Sequence, residues 1–287
     1  MTAVPPTSQA TLSNRVVGNQ RILRGLYWQE WFAHGSGLLM VVSAWLIGQW
    51  VLLIFFHPTW VLIGGSLLGL WLGAAFAGAD AQEGAEEFAL ALPPQRGERY
   101  RVRLMVSLSV LVLLVGTSLL AIRLDWPQAL WGLVVETGFT EPWVWNRSKP
   151  SDVTEAFYYV LAAACPLAAY GVAFGMASLA SARDQVAGAG LFGALYTAAG
   201  VLVGQSIEEW IWQRRPHEAH GLYSCAILGG LAVLYLVVGY FGYRRKDGIT
   251  RPRGSYGPEW RFGLALAGAL LLIMVLVPVM LAWVSPW

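Results

Sequence analysis

A run of charges between two long apolar segments contains the residues best suited to chemistry or binding. Five acids and four arginines lie between Asp80 and Arg103, with an apolar pattern and a Pro-Pro pair among them. A helix over residues 81–92 would hold its acids in the first turns, where the helix dipole favours them. Pro93 and Pro94 would then end that helix, since proline removes a backbone donor.

Two interpretations of this segment remain open. In the first it is a docking helix, which inserts Phe88 and Leu92 into a partner's groove and meets basic partner residues with its acids. In the second it is a solvated helical hairpin whose acids only add solubility. In both, Arg96 to Arg103 re-enter the membrane at the level of the inner headgroups.

The other chemically capable residues form no catalytic motif. The sequence lacks H-E-x-x-H, G-x-S-x-G and the P-loop pattern, and neither of its two lysines follows a glycine. The four histidines do not share one depth on facing spans, so they do not bracket a haem. His217 and His220, with Glu218, resemble a weak metal site, but we favour a solvated loop. We therefore expect no enzyme activity, metal or cofactor in this chain.

The composition assigns the chain to the integral membrane proteins. Hydrophobic residues make up 56% of the 287 residues and charged residues only 13%, about half the charge of a typical soluble domain. The apolar runs are continuous rather than alternating, which predicts an all-α polytopic helical bundle and not a barrel. Seven runs qualify as spans: 35–56, 60–79, 104–122, 156–180, 187–207, 221–243 and 262–284.

The segments outside the spans set the expected topology. Residues 1–14 predict a disordered cytoplasmic tail and not a cleavable signal peptide. Residues 15–34 predict an amphipathic interfacial helix, or else an untidy extension of the first span. With the N-terminus inside, fourteen of the nineteen basic residues face the cytoplasm, which predicts an inner-membrane protein with an external C-terminus. The outer segments 123–154 and 208–219 carry tryptophans typical of the interface, or alternatively form an external gate.

Small residues recur at helical spacing in three spans. Gly65, Gly69 and Gly73 share one face of the second span, Gly171 and Gly175 recur in the fourth, and Gly200 and Gly204 share a face of the fifth. Such faces let helix backbones approach closely, within one subunit or between two. We expect them to pack helices, with a dimer interface as one possible place. No Asp, Glu, Lys or Arg lies in the middle of any span, which argues against an ion-coupled carrier.

The loop after the second span resembles the cytoplasmic loop of ABC-2 type transporter permeases. The resemblance rests on Glu83-x-x-Glu86-Glu87-Phe88-x-Leu90-x-Leu92-Pro93-x-x-Arg96. It implies a type V exporter-like core of six spans, a coupling helix in loop 80–103, and a homo- or heterodimer of permease subunits. It also implies that a separate ATP-binding subunit carries ATP and Mg. The residues implied to contact that ATPase are Glu83, Glu86, Glu87, Phe88, Leu92, Pro93 and Arg96.

The chain departs from the family at two points. Gly84-Ala85 stands where Gly-Thr is usual, and the seventh span exceeds the six-span core and moves the C-terminus outside. The departure argues against a fused C-terminal ATPase. The expected function is a permease subunit that exports an apolar or amphipathic substrate and has no nucleic-acid partner. The alternative is a non-transporting membrane anchor for a soluble enzyme or a larger assembly.

Overall fold

The computed structural model describes residues 24–55, 59–83, 96–124, 152–212, 222–246 and 258–284. These residues are helical almost throughout and contain no strand. A helix satisfies its backbone hydrogen bonds within one segment, which is what an apolar chain in lipid requires. The helices are α1 (Arg24–Ala33), α2 (Gly35–Phe55), α3 (Thr59–Ala77), α4 (Ala79–Glu83), α5 (Arg96–Arg123), α6 (Asp152–Leu179), α7 (Arg183–Trp212), α8 (Leu222–Arg245) and α9 (Pro258–Val284).

A helix lies at each predicted span, and the chain is a multi-pass helical membrane protein. Among the described residues, five helices are long and apolar enough to cross a membrane. A sixth is added if α1 and the first part of α2 count as one bent span. The apolar part of α3, Val61–Ala77, measures about 25 Å at a helical rise of about 1.5 Å per residue. That length is slightly below the hydrocarbon thickness of about 30 Å, so seven spans stay a prediction.

The helices extend beyond the apolar runs that predicted them. α5 begins at Arg96 rather than at 104, and α7 continues to Trp212 rather than ending at 207. Hydropathy marks the part of a helix that suits lipid, whereas backbone hydrogen bonding continues into polar residues. The predicted loop 80–103 is therefore helical at both ends, and so are the margins of the predicted outer segments 123–154 and 208–219.

α1 is a separate helix that meets α2 at a bend of 66°. The bend is packed by His34, whose ring centroid lies 4.6 Å from that of Phe76 on α3. Trp28 and Phe32 are exposed on α1, while Glu30 is buried. α1 covers residues 24–33 of the predicted interfacial helix, whose position at a membrane surface stays a prediction; residues 15–23 lie outside the described part of the chain.

The interior of the bundle centres on α6, the most buried of the long apolar helices, with α3 and α8 on its two sides. Glycines make both contacts close. A Cβ at Gly65 would lie 2.8 Å from Pro166 Cγ, and one at Gly73 would lie 2.7 Å from the Tyr170 carbonyl oxygen. We call these close contacts the glycine seam, formed by Gly65, Gly69, Gly73, Gly171 and Gly175.

The two glycine faces that the sequence singled out are filled within the chain. Gly65, Gly69 and Gly73 pack against α6, whereas Gly200 and Gly204 on α7 pack against Leu228 and Ser224 of α8. A side chain at any of these positions would meet a neighbouring helix at less than ordinary van der Waals distance. Of the two places that the sequence left open for these faces, within one subunit or between two, the structure shows the contacts within the chain, which leaves the faces no room for a second subunit.

Candidate functional site

One end of the bundle gathers charged side chains that are buried and paired. Arg103 lies at its centre and is only 6% exposed. Its Nε donates to Glu30 Oε1 at 3.0 Å, and its Nη1 and Nη2 donate to the two oxygens of Asp80 at 2.8 Å each. We call Glu30, Asp80 and Arg103 the ion cluster. The two-pronged contact with Asp80 is the strong, directional form of an arginine–carboxylate pair.

Three separate segments contribute one residue each to the ion cluster. Glu30 comes from α1, Asp80 from α4 and Arg103 from α5. A tight turn at Gly78 joins α3 to α4, and a Cβ there would lie 2.6 Å from Val186 Cγ2. This close approach presses the start of α4 onto α7 and directs Asp80 toward Arg103. The ion cluster thus connects α4 and α5, the helices on either side of residues 84–95, to α1.

The electrostatics favour ionised carboxylates in the cluster. Burial alone would raise the pKa of Asp80, but the hydrogen bonds and charge of Arg103, helped by the charges of Arg99 and Lys246, lower it below its usual value. Burial likewise opposes ionisation of Glu30, yet the contacts with His34 and Arg103 bring its pKa below the usual range. His34 Nε2 lies 3.6 Å from Glu30 Oε2.

Further contacts connect the cluster to the last turn of α8. The Tyr243 hydroxyl donates to Asp80 Oδ2 at 3.4 Å. Lys246 Nζ donates to the carbonyl of Ala180, and Arg96 Nη1 donates to the carbonyl of Lys246. The start of α5, the end of α8 and the turn before α7 are therefore joined beside the ion cluster. We call this end of the bundle the charged end.

The arrangement suits a mechanical joint better than a reaction centre. Each carboxylate of the cluster faces a cation, and Arg103 uses all three of its guanidinium nitrogens as donors. Among the described residues, no three His, Cys, Asp or Glu side chains come together as a metal site. The weak candidate formed by His217, Glu218 and His220 lies outside those residues. Among the described residues, neither Cys165 nor Cys225 takes part in a disulfide.

The predicted docking residues flank this joint. Glu83 is the last residue of α4, and Arg96 is the first of α5. Arg96 already donates to a backbone carbonyl of the same chain. Glu86, Glu87, Phe88, Leu92 and Pro93 lie outside the described residues, so their docking role stays a prediction.

Asp80, Arg99 and Arg103 differ from the sequence interpretation. They had been assigned to a water-facing loop and to the headgroup level, but Arg99 and Arg103 are buried and Asp80 is paired inside the chain. Glu30 was missed altogether. Burying charges is tolerated here because each carboxylate finds a cation at hydrogen-bonding distance. The sequence contained one indication that Glu30 pairs with a cation, since it is the only acid in the basic segment 15–34.

No protein-family model matches this sequence, and no curated protein or solved structure is detectably similar to it. The class of the chain, a multi-pass helical membrane protein, therefore rests on its own composition and helices.

Proposed function

We propose that this chain is the membrane subunit of an ATP-driven transporter of the ABC-2 type. The observation that carries the proposal is the ion cluster, because two of its residues, Asp80 and Arg103, are the first and last residues of the loop 80–103 that resembles a coupling loop. Their two hydrogen bonds of 2.8 Å join the ends of that loop. A partner that grips such a loop can move helices rather than only the loop.

The proposed mechanism transmits force through the paired charges of the ion cluster and through Arg96. ATP and Mg bind to a separate ATPase subunit, whose closure displaces Glu83, Glu86, Glu87, Phe88 and Leu92. Arg103 carries that displacement to α5 and, through Glu30, to α1. Arg96 carries it to the end of α8 through the Lys246 carbonyl. A second permease subunit completes the pathway.

The substrate in this proposal is apolar or amphipathic, and it is exported. The buried tyrosine hydroxyls that the structure describes along the spans are paired, Tyr170 with Ser107 at 2.8 Å and Tyr235 with Tyr196 at 3.0 Å, whereas the buried Ser224 hydroxyl has no partner among the described residues. With no charge in the middle of any predicted span, one neutral hydroxyl does not supply the charged side chains that mark an ion pathway.

The decisive experiment is a mild-detergent purification of the full chain from its native membrane, followed by identification of bound proteins and an ATPase assay. We expect a stoichiometric P-loop ATPase. Reversal of two loop acids, Glu86→Arg with Glu87→Arg, should weaken its binding at least tenfold, since like charges would face the basic groove. Asp184→Arg is the control, because Asp184 is exposed at the start of α7 outside the loop.

Two results would contradict the proposal at different points. A bound ATPase whose binding and hydrolysis are both unchanged by the double reversal would remove the docking assignment. The other is co-purification of a soluble enzyme or a larger assembly without any ATPase, which would favour the membrane anchor.

A further inference from the structure

A groove of about 400 Å³ runs along the outside of the bundle between α3 and α7. Its walls are apolar over most of its length and include Leu67 and Trp71 from α3 and Val186 and Gly190 from α7. Leu67 is 57% exposed and Trp71 is 46% exposed, so the groove is open toward the surroundings of the helices. In a membrane-spanning bundle, those surroundings are lipid.

One end of the groove is polar. Gln82 on α4 and Arg183 at the start of α7 line it there, at the charged end of the bundle. Arg183 is exposed, and it makes no ion pair or hydrogen bond with any residue that the structure describes. Asp184 follows it in the sequence but does not line the groove. The first-turn amides of α7 add a further partial positive charge at this end.

The length of the groove matches one leaflet. From Leu67 to the end of α3 at Ala77, a helical rise of about 1.5 Å per residue gives about 15 Å. The hydrocarbon core of a bilayer is about 30 Å thick, so this distance is about half of it. The apolar wall therefore reaches from the headgroup level at Gln82 and Arg183 to the middle of the membrane.

We propose that this groove is a binding site for one anionic phospholipid of the leaflet at the charged end. Its phosphate lies beside Arg183 and Gln82, and an acyl chain lies along Leu67 and Trp71. The apolar length selects a lipid over a soluble anion. Because the Arg183 side chain has no partner among the described residues, it favours an anionic headgroup, as basic pockets between transmembrane helices do. The inference requires only membrane insertion and is independent of any ATPase.

The first test fills the groove with a side chain. A Cβ at Gly190 would meet no atom within 4 Å, and Gly190 lines the groove, so Gly190→Leu adds side-chain volume at the groove wall. The control is Gly230→Leu on α8, where the Cβ position is equally open. Native mass spectrometry of the full chain in detergent, titrated with palmitoyl-oleoyl phosphatidylglycerol, measures the lipid-bound fraction. We expect Gly190→Leu to lower the apparent affinity at least fivefold and Gly230→Leu to leave it unchanged.

The second test separates the headgroup from the acyl chain. Arg183→Gln should lower the affinity for phosphatidylglycerol about fivefold and leave that for phosphatidylcholine nearly unchanged. Arg244→Gln is the control, since Arg244 is an exposed cation near the charged end outside the groove. Should Gly190→Leu not fold, Ala187→Leu on the same wall repeats the filling test.

The proposal fails under either of two outcomes. Equal affinities of wild-type, Gly190→Leu and Gly230→Leu would mean that no lipid occupies the groove. Equal losses in Arg183→Gln and Arg244→Gln would mean that the headgroup responds only to the general positive charge of this end.

Discussion

The glycine seam and the ion cluster hold the same bundle together by opposite means. In the seam, absent side chains let α3 and α8 approach α6 so closely that backbone atoms meet, as at Gly73 and Tyr170. In the cluster, three long charged side chains from α1, α4 and α5 span the gaps between elements. The seam depends on shape and the cluster on matched charge. Only the cluster borders the segment that we propose a partner grips.

This difference assigns different roles to the two regions. Closely packed helices have few other arrangements, because a small displacement either separates them or makes them clash. An arginine between two carboxylates can keep one partner while it releases another, since Asp80 and Glu30 take different nitrogens of Arg103. A rigid seam and an adjustable joint are the combination that movement of whole helices requires.

The largest effect should come from removal of the central cation. Arg103→Met leaves Glu30 and Asp80 buried without their main partner, which should cost about 3–5 kcal/mol of unfolding free energy. Arg101→Met on the same helix is the control, since Arg101 is exposed and, among the described residues, contacts only Tyr240, through its hydroxyl and its ring. Unfolding of the detergent-solubilised chain in sodium dodecyl sulfate measures both.

A rescue variant sharpens this prediction. Replacing the whole ion cluster, with Glu30→Gln, Asp80→Asn and Arg103→Met, removes the unpaired charges and should recover most of the loss. Recovery would establish charge pairing as the cause. A triple variant no more stable than Arg103→Met would mean that the arginine matters through its packing.

The second effect belongs to the glycine seam. Gly73→Leu pushes a side chain against the Tyr170 carbonyl and should cost about 1–3 kcal/mol by overpacking. Gly116→Leu on α5 is the matched control, because nothing lies near its Cβ position. The same unfolding assay applies, and similar stabilities of the two variants would contradict the close contact.

The fold was largely predictable from apolar runs, whereas the ends of the helices were not. A helix lies at each predicted apolar run, because a segment that crosses lipid must satisfy its backbone hydrogen bonds within itself and an α-helix does so. Arg96 to Arg103 continue α5 because the helix extends past its apolar part, and hydropathy carries no information there. The glycine spacing of α3 indicated close packing, but not that Pro166 and Tyr170 of the same chain would fill it.

The ion cluster was hidden for a different reason. Arg103 is separated from Asp80 by 23 positions and from Glu30 by 73, so no local pattern joins them. The predicted topology assigned the segments that carry Glu30, Asp80 and Arg103 to one side of the membrane. The contacts among these three side chains require them to lie on the same side. The three side chains come into contact only because of the bend between α1 and α2 and the turn at Gly78. Neither of these turns has a sequence signature of its own.

A smaller effect is expected where a hydrogen bond links α5 to α8 beside the cluster. Tyr100 is buried, and its hydroxyl donates to the Leu236 carbonyl at 2.7 Å. Tyr100→Phe should lose about 0.5–1.5 kcal/mol of unfolding free energy. Tyr223→Phe is the control, since the Tyr223 hydroxyl has no hydrogen bond to the described residues. Equal effects of the two changes would mean that the hydrogen bond from Tyr100 to the Leu236 carbonyl does not stabilise the contact between α5 and α8.

Acid should weaken the ion cluster and leave the glycine seam unaffected. The pKa values of Asp80 and Glu30 lie below their ordinary 3.8 and 4.5, so the stability they add is complete above about pH 5. It is lost as the pH falls below about 4, by at most about 1.4 kcal/mol per carboxyl and pH unit. Between pH 7 and pH 3, the stability of the wild-type chain should therefore fall relative to the variant without the ion cluster, while the penalty of Gly73→Leu stays constant. A wild-type advantage that is unchanged at pH 3 would mean that these carboxylates are not held ionised by Arg103, and the contrast between a charged joint and a steric seam would fail.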